Sequence, residues 1–425
     1  MPTTARTYSP PLAPPESEGR RQAGNTLILQ KLLPPQAKHS YVTLGGQALP
    51  KVETELWTSK QRQASSLHEI SYRACFKPQL PRFFIDRLTE PGDVVYDPFM
   101  GRGTTVIEAV MAGRRAIGND GNPLSCLLTL PRLDPPPFED IVNRLESILF
   151  DSGTKSDTDL SMFYHPLTEA EIVSLKEYFT RREETGEEDR VDRWIRMVAT
   201  NRLTGHSPGF FSVYTLPPNQ AVSQENQRKI NRDRNQHPPY RDVKKLILKK
   251  SRLLVKDLTP DQRKNLAEFG VQTALFTGGA DATKKIPDSS VQLTVTSPPF
   301  LDVVNYAQDN WLRNWFNGID QEKAASSMTV VRSAEAWCAE MQKVFHELFR
   351  VTRPEGFVAF EVGEVRKKNL KMEELVVPVG LKAGFQCLGI LINCQQFTKT
   401  SNIWGIHNNV GGTNTNRIVL FQKIP

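Results

Sequence analysis

Cysteine is scarce in this chain and never clustered. The five that occur, Cys75, Cys126, Cys338, Cys387 and Cys394, make no CxxC pair and no Cys/His spacing. That argues against a disulfide framework or a zinc site, so no metal is expected, and it fits a reducing cytoplasm. The chain also lacks any run of about 18 apolar residues from which a membrane-spanning helix could be built, and its first residues lack the apolar core of a secretory signal. A soluble protein with no membrane partner is expected. Internal repeats are missing too. Large apolar side chains are nearly absent from residues 1–24, where Pro, Ser and Arg dominate. Such a stretch cannot bury enough surface to offset its ordering entropy, and residues 1–55 are read as a disordered or extended N-terminal segment.

What is present is an ordinary globular balance, 39% hydrophobic against 24% charged residues in 425, with room for more than one domain. The formal net charge of +7 points to a polyanionic partner. Residues 80–120 read as a βαβ unit. Phe84, Ile85 and Leu88 suit one helix face, and Pro91-Gly92 ends that helix. Val94-Val95-Tyr96 is a buried-strand run, Gly101 and Gly103 make a turn, and Thr104 to Met111 resumes a helical pattern. Ala116-Ile117-Gly118 is a second strand that stops at Asp120. Strands alternating with helices imply a parallel sheet covered on its faces. The pattern returns late in the chain, with strands at Val291–Val295, Phe357–Val362, Phe385–Ile392 and Arg417–Gln422 and an amphipathic helix at Ala336–Val351.

The middle of the chain differs. It holds two helical patterns, at 168–184 and Val191–Leu203, and an aromatic, turn-rich stretch, HSPGFFSVYTLPPNQ. A basic segment follows, with thirteen Lys or Arg against four Asp between Arg228 and Lys264. A solvated helical face would account for those charges. Their place beside an aromatic, proline-rich loop favours nucleic acid.

Three segments carry chemistry. In Asp97-Pro-Phe-Met-Gly-Arg-Gly-Thr-Thr105 a strand runs into a glycine turn and a helix N-terminus, where backbone N–H groups can approach a polar ligand closely. The dinucleotide-binding GxGxxG fingerprint fails, because Val106 stands where its third glycine would be. Asp120 ends the next strand, where a carboxylate can accept bonds from two ribose hydroxyls or serve as a turn residue. In Thr296-Ser297-Pro298-Pro299-Phe300, two prolines lead the chain out of the sheet at its carboxyl end, the edge where ligands bind in open α/β sheets. There Ser297 and carbonyls freed by the missing proline donors can accept bonds from an NH2 group, and Phe300 offers a flat face for stacking a base.

Together, DPFMGRGTT and TSPPF resemble motifs I and IV of the DNA amino-methyltransferases, over roughly residues 57–135 and 270–425. The resemblance implies an α/β, Rossmann-like methyltransferase sheet, mostly parallel and seven-stranded, with an inserted, mainly helical and loop target-recognition region. It divides the chain into a cofactor-binding half at 56–135 (motifs X, I and II), the insertion at 136–270, and a catalytic half at 271–425 (motifs III, IV and following). It implies S-adenosylmethionine as cofactor. Phe76 and Lys77, in the motif X-like YRACFKPQLP, would help hold its methionine end, with Asp97, Phe99, Gly101, Gly103, Thr104 and Thr105. Asp120 would take the ribose, and Asp281 would sit near the adenine ring. Ser297, Pro298, Pro299 and Phe300 would bind the target base, flipped out of the helix.

A serine opening motif IV is commoner among N4-cytosine enzymes, so the implied activity is site-specific methylation of the N4 amine of cytosine in double-stranded DNA. N6-adenine methylation is the alternative, since it uses the same parts. RNA or protein-glutamine methyltransferases typically carry Asn at position 297, and a DNA-binding homologue that has lost activity sits poorly with the intact motifs. No cysteine follows a proline, so the nucleophile of carbon-5 methylation is absent. Motif I precedes motif IV here, unlike many serine-bearing enzymes, which weakens inference about the sequence read. Arg202, His206, Asn219, Gln220, Arg228, Arg232 and Arg234 lie where groove contacts could form. The tract from Thr400 to Arg417 reads equally as a lid or a connection. A cognate restriction endonuclease acting on the same site is an expected partner, and the nucleoid the expected place.

Overall fold

The computed structural model describes residues 28–29, 32–33, 37–56, 64–73, 75–216, 222–299, 309–320, 322, 333–362, 364–365, 370–394 and 415–425. The βαβ pattern folds as its periodicity requires. Strands β3 (Val94–Asp97), β4 (Arg115–Asp120), β5 (Ala274–Thr277), β6 (Val291–Thr296) and β7 (Thr352–Val362) run parallel in the spatial order β7-β6-β3-β4-β5. Two further strands, β10 (Gln386–Cys394) and β11 (Thr415–Gln422), pair antiparallel with each other, and β11 pairs antiparallel with β7. A small separate ribbon joins β8 (Glu364–Val365) to β9 (Leu370–Lys371).

Those seven strands of the main sheet match the expected number, but the sheet has nine. A hairpin of β1 (Lys38–Leu44) and β2 (Gln47–Thr54) adds itself beyond β10, with β2 parallel to β10. Residues 38–54 are therefore extended and paired. Their turn uses Gly45 and Gly46, both with positive φ (57° and 78°), the two-residue geometry that matches strand twist. Strand β1 is mostly exposed, with only Val42 and Leu44 packed against a core, an apolar alternation too short to announce itself.

Successive residues of a strand face opposite sides, and the sheet accordingly separates two cores. Val95, Leu293 and Ala359 pack into one, with Phe84 and Ile85 of α1 (Gln79–Leu88) and Val106, Ile107 and Val110 of α2 (Thr104–Met111). Tyr96, Val358, Phe360 and Val362 pack into the other, beneath Trp337, Val344, Phe345 and Leu348 of the long helix Ala334–Val351.

Behind α2 the chain forms α3 (Pro123–Thr129), then the inserted helices α4 (Phe138–Ser147), α5 (Pro166–Glu184), α6 (Arg190–Arg202), α7 (Gln224–Asp233) and α8 (Val243–Leu254). Trp194 is fully buried among them, its indole N–H donating to Ser251 Oγ at 3.0 Å. Helix α9 (Pro260–Phe269) lies against α2, where Asn265 Nδ2 donates to the Met111 carbonyl at 3.0 Å. The last part of the region read as insertion thus packs on the sheet layer. Among the described residues, no helix is long and apolar enough to cross a membrane.

Candidate active site at the carboxyl rim of the sheet

Because β3 to β7 are parallel, Asp97, Asp120, Thr277, Thr296 and the end of β7 fall on one rim. The central pair is tied directly. Asp97 is buried, and its Oδ1 accepts the Thr296 hydroxyl at 2.6 Å and the Phe99 amide at 3.1 Å. Burial pushes the Asp97 carboxyl up to about 7, against those bonds. Thr105, at the start of α2 and fully buried, donates to the Val295 carbonyl at 3.0 Å. Two links therefore join the glycine turn to the strand that leads into Ser297-Pro298-Pro299.

The turn itself requires glycine twice. Gly101 and Gly103 adopt φ of 51° and 76°, a region costly for residues with a Cβ. A Cβ on Gly103 would also fall 2.4 Å from Cγ2 and Oγ1 of Thr129. The Gly101 amide donates to Asp120 Oδ2 at 2.8 Å and the Asn122 amide to Oδ1 at 2.8 Å. Asp120 is thus a turn residue as well as a rim carboxylate, and burial raises its pKa. Thr104 is buried, and its Oγ1 accepts Arg102 Nε at 3.3 Å.

Tyr72 and Cys75 pack onto this turn. A Cβ on Gly101 would meet the Tyr72 ring at 3.5 Å and Cys75 Sγ at 3.6 Å, and Asn122 Nδ2 donates to the Tyr72 hydroxyl at 3.1 Å. Phe76 is half-buried against the first core, while Lys77 is exposed. Arg102 anchors the preceding loop by donating to the carbonyls of Ile70 (2.8 Å) and His68 (3.2 Å).

On the β6 side, Ser297 is half-buried, Pro298 buried and Pro299 exposed, with the Pro299 carbonyl accepting the Trp337 indole N–H at 3.1 Å. Beside Ser297 stands a residue that sequence reasoning missed. Glu361, near the end of β7, is only 7% exposed. Burial raises its pKa, opposed by the Ser297 hydroxyl and by Asn416, whose Nδ2 donates to Oε1 at 3.2 Å. The available signal was one acidic residue inside the apolar strand Phe357-Val-Ala-Phe-Glu-Val362.

Other expected residues are less converged. Asp281 is exposed, four residues beyond β5. Phe300, Asn219, Gln220 and the tract 400–414 lie outside the described residues. Arg228 pairs with Asp159 at 2.7 Å and the Arg234 guanidinium covers Tyr214 at 3.8 Å. Arg232 is exposed, and Arg202 and His206 line a cleft beside the glycine turn.

The N6/N4 methyltransferase family model, described as DNA methylase, matches residues 22–128. The chain is 33% identical to the Type II methyltransferase M.MjaII of Methanocaldococcus jannaschii over 99 residues, covering 23% of this chain and 18% of that protein. It is 23% identical to the Type II methyltransferase M.BsoBI of Geobacillus stearothermophilus over 352 residues, covering 71% of this chain and 64% of that protein. The chain thus spans less than two thirds of each. A solved SAM-dependent methyltransferase from Methanosarcina mazei aligns with a TM-score of 0.30 and 12% identity over 80% of this chain and 97% of that one; the fold assignment rests on the strand order itself. Residues 22–128 thus match the N6/N4 DNA methylase family, a family of S-adenosylmethionine-dependent enzymes, and the chain is similar to Type II methyltransferases over part of their length.

Proposed function

We propose that this protein transfers a methyl group from S-adenosylmethionine to the exocyclic N4 amine of cytosine in duplex DNA. The observation that carries the reading is the 2.6 Å bond from Thr296 to Asp97. It brings a glycine turn suited to a cofactor and a Ser-Pro-Pro exit suited to an amine to neighbouring positions on one sheet edge.

The rim residues fit that cofactor. Each Asp120 oxygen accepts one backbone amide, and a carboxylate oxygen has a second lone pair to offer a ribose hydroxyl. Phe76 and Lys77 would lie along the methionine part, and Asp281 beside the adenine. When bound, the cofactor supplies an electrophilic methyl group on a sulfonium.

The chain's own work is positioning. The target nucleotide leaves the stack at a cost of about a few kcal/mol. Ser297 Oγ and the Pro298 carbonyl accept the amine's hydrogens, which turns the nitrogen lone pair toward the donor, while Phe300 stacks on the base. Glu361, behind Ser297, accepts a hydrogen bond from the serine hydroxyl and keeps Oγ electron-rich. No covalent intermediate on the protein is needed, and most of the acceleration comes from orientation. Serine at position 297 supports cytosine over adenine. The inserted helices would read the flanking sequence, and the Type II names of the relatives suggest a companion endonuclease for the same site.

The test is to incubate DNA with the protein and methyl-labelled S-adenosylmethionine, digest it, and separate the nucleosides. Label in N4-methylcytosine is expected. Label only in N6-methyladenine would overturn the base assignment, and label in RNA but not DNA would overturn the substrate.

A further inference from the structure

Where the inserted helices meet the glycine turn lies a cleft of about 430 Å3, whose lining includes Glu69, Arg102, Arg202, His206, Phe210 and Lys250. Its charge is unbalanced. Arg202 ends α6, and its guanidinium lies 3.9 Å over the Phe210 ring. It donates to Asn201 Oδ1 at 2.6 Å and the Gly209 carbonyl at 3.4 Å, both neutral, and its Nε is buried without a partner. Among the described residues, no carboxylate pairs with Arg202 or Arg102. Lys250, on α8, is 7% exposed, and its Nζ is 3.3 Å from Glu69 Oε2, on a side chain that is 56% exposed. Burial, then the neighbouring Arg202 cation, pushes Lys250 down to about 8.

Three cations thus share a cleft with one half-solvated carboxylate. Half-buried guanidinium charge without a counter-charge, beside a buried ammonium, costs stability, so the arrangement is expected where an anion completes it. A guanidinium and an ammonium converging from two helices suit phosphate oxygens. The cleft is larger than a lone phosphate group needs, which leaves room for the sugar attached to it.

We infer that this cleft holds a phosphodiester of the substrate DNA strand, with Arg202 and Lys250 as its ligands. The inference rests on the DNA reading above. It is tested with the full chain, by anisotropy of a short fluorescent duplex from about 50 to 200 mM salt. The variants are Arg202→Gln and Lys250→Met, and S-adenosylhomocysteine binding and thermal melting are measured in parallel.

Each substitution should weaken duplex binding about tenfold and flatten the log–log salt slope by about one, leaving S-adenosylhomocysteine affinity unchanged. Lys250→Met should melt at or above the wild-type temperature, because it deletes a buried cation whose partner is mostly in water. Unchanged salt slopes would overturn the inference. So would loss of S-adenosylhomocysteine affinity with duplex binding intact, which would assign the anion to the cofactor's carboxylate. A lower melting temperature with normal duplex binding would make Lys250 a structural ion-pair partner and also refute it. Should Lys250→Met fail to fold, Arg202→Gln decides alone. If the wild-type protein binds no duplex, the DNA reading falls as well; if it binds and the variants match it, only the cleft assignment falls.

Discussion

Gly103→Ala probes the glycine turn proposed to hold the cofactor at its tightest point. The residue sits at φ of 76°, where a Cβ costs about 1–2 kcal/mol. That Cβ would lie 2.4 Å from both Cγ2 and Oγ1 of Thr129 and 2.9 Å from its Cβ. Thr129 is fully buried at the end of α3 and cannot swing into solvent, so overpacking adds about 1–3 kcal/mol. The sum, about 2–5 kcal/mol, is a large part of a typical domain's stability. Adding Thr129→Ala removes two of the three contacts and a hydroxyl that has no partner. The double variant should therefore regain most of the steric share and keep the backbone cost. Urea unfolding of the four proteins gives the cycle, with a coupling of at least about 1 kcal/mol expected. Calorimetry with S-adenosylhomocysteine should show weakened binding in Gly103→Ala. Wild-type stability in Gly103→Ala, or strictly additive single changes, would refute the reasoning.

Asp97 makes stability depend on pH. Its folded pKa of about 7 lies above the ordinary 3.8, so the native state prefers the protonated form. Its contribution is fully present below the ordinary value and is lost as pH rises through 7. Asp97→Asn should therefore gain about 2–3 kcal/mol relative to wild type between about pH 5 and pH 8, read from denaturant midpoints; parallel curves would contradict this. Asp120→Ala removes the acceptor of the Gly101 and Asn122 amides, and calorimetry should show at least a tenfold loss of cofactor affinity, about the worth of a charged hydrogen bond. Glu361→Gln should lower kcat and shift its pH profile while leaving S-adenosylhomocysteine affinity intact. An unchanged profile would make Glu361 only a packing residue.

The unit at 80–120 was legible because apolar runs, glycine placement and helical spacing all agreed within forty residues. The meeting of Asp97 with Thr296, 199 positions apart, followed from parallel strand order and not from any local feature. Asp120 fitted both of its readings, since a carboxylate can brace a turn with one lone pair per oxygen and still face a ligand. Strand β1 escaped notice because its apolar alternation is confined to Val42 and Leu44, although Gly45-Gly46 was a hairpin signal. The cations of the basic segment could be counted but not oriented. Arg228 faces Asp159 at the surface, whereas Lys250, on a similar stretch of helix, points inward. Glu361 was invisible because a lone acid in an apolar strand acquires meaning only beside Ser297.

The most direct test of the shared rim is the rate of methyl transfer to DNA by Ser297→Ala under single-turnover conditions, with S-adenosylhomocysteine affinity measured on the same sample. Removing one acceptor proposed to hold the reacting amine should slow transfer about 100-fold while the cofactor binds as in wild type. Transfer at the wild-type rate would show that the amine is held elsewhere and that the Ser-Pro-Pro exit is not the target pocket.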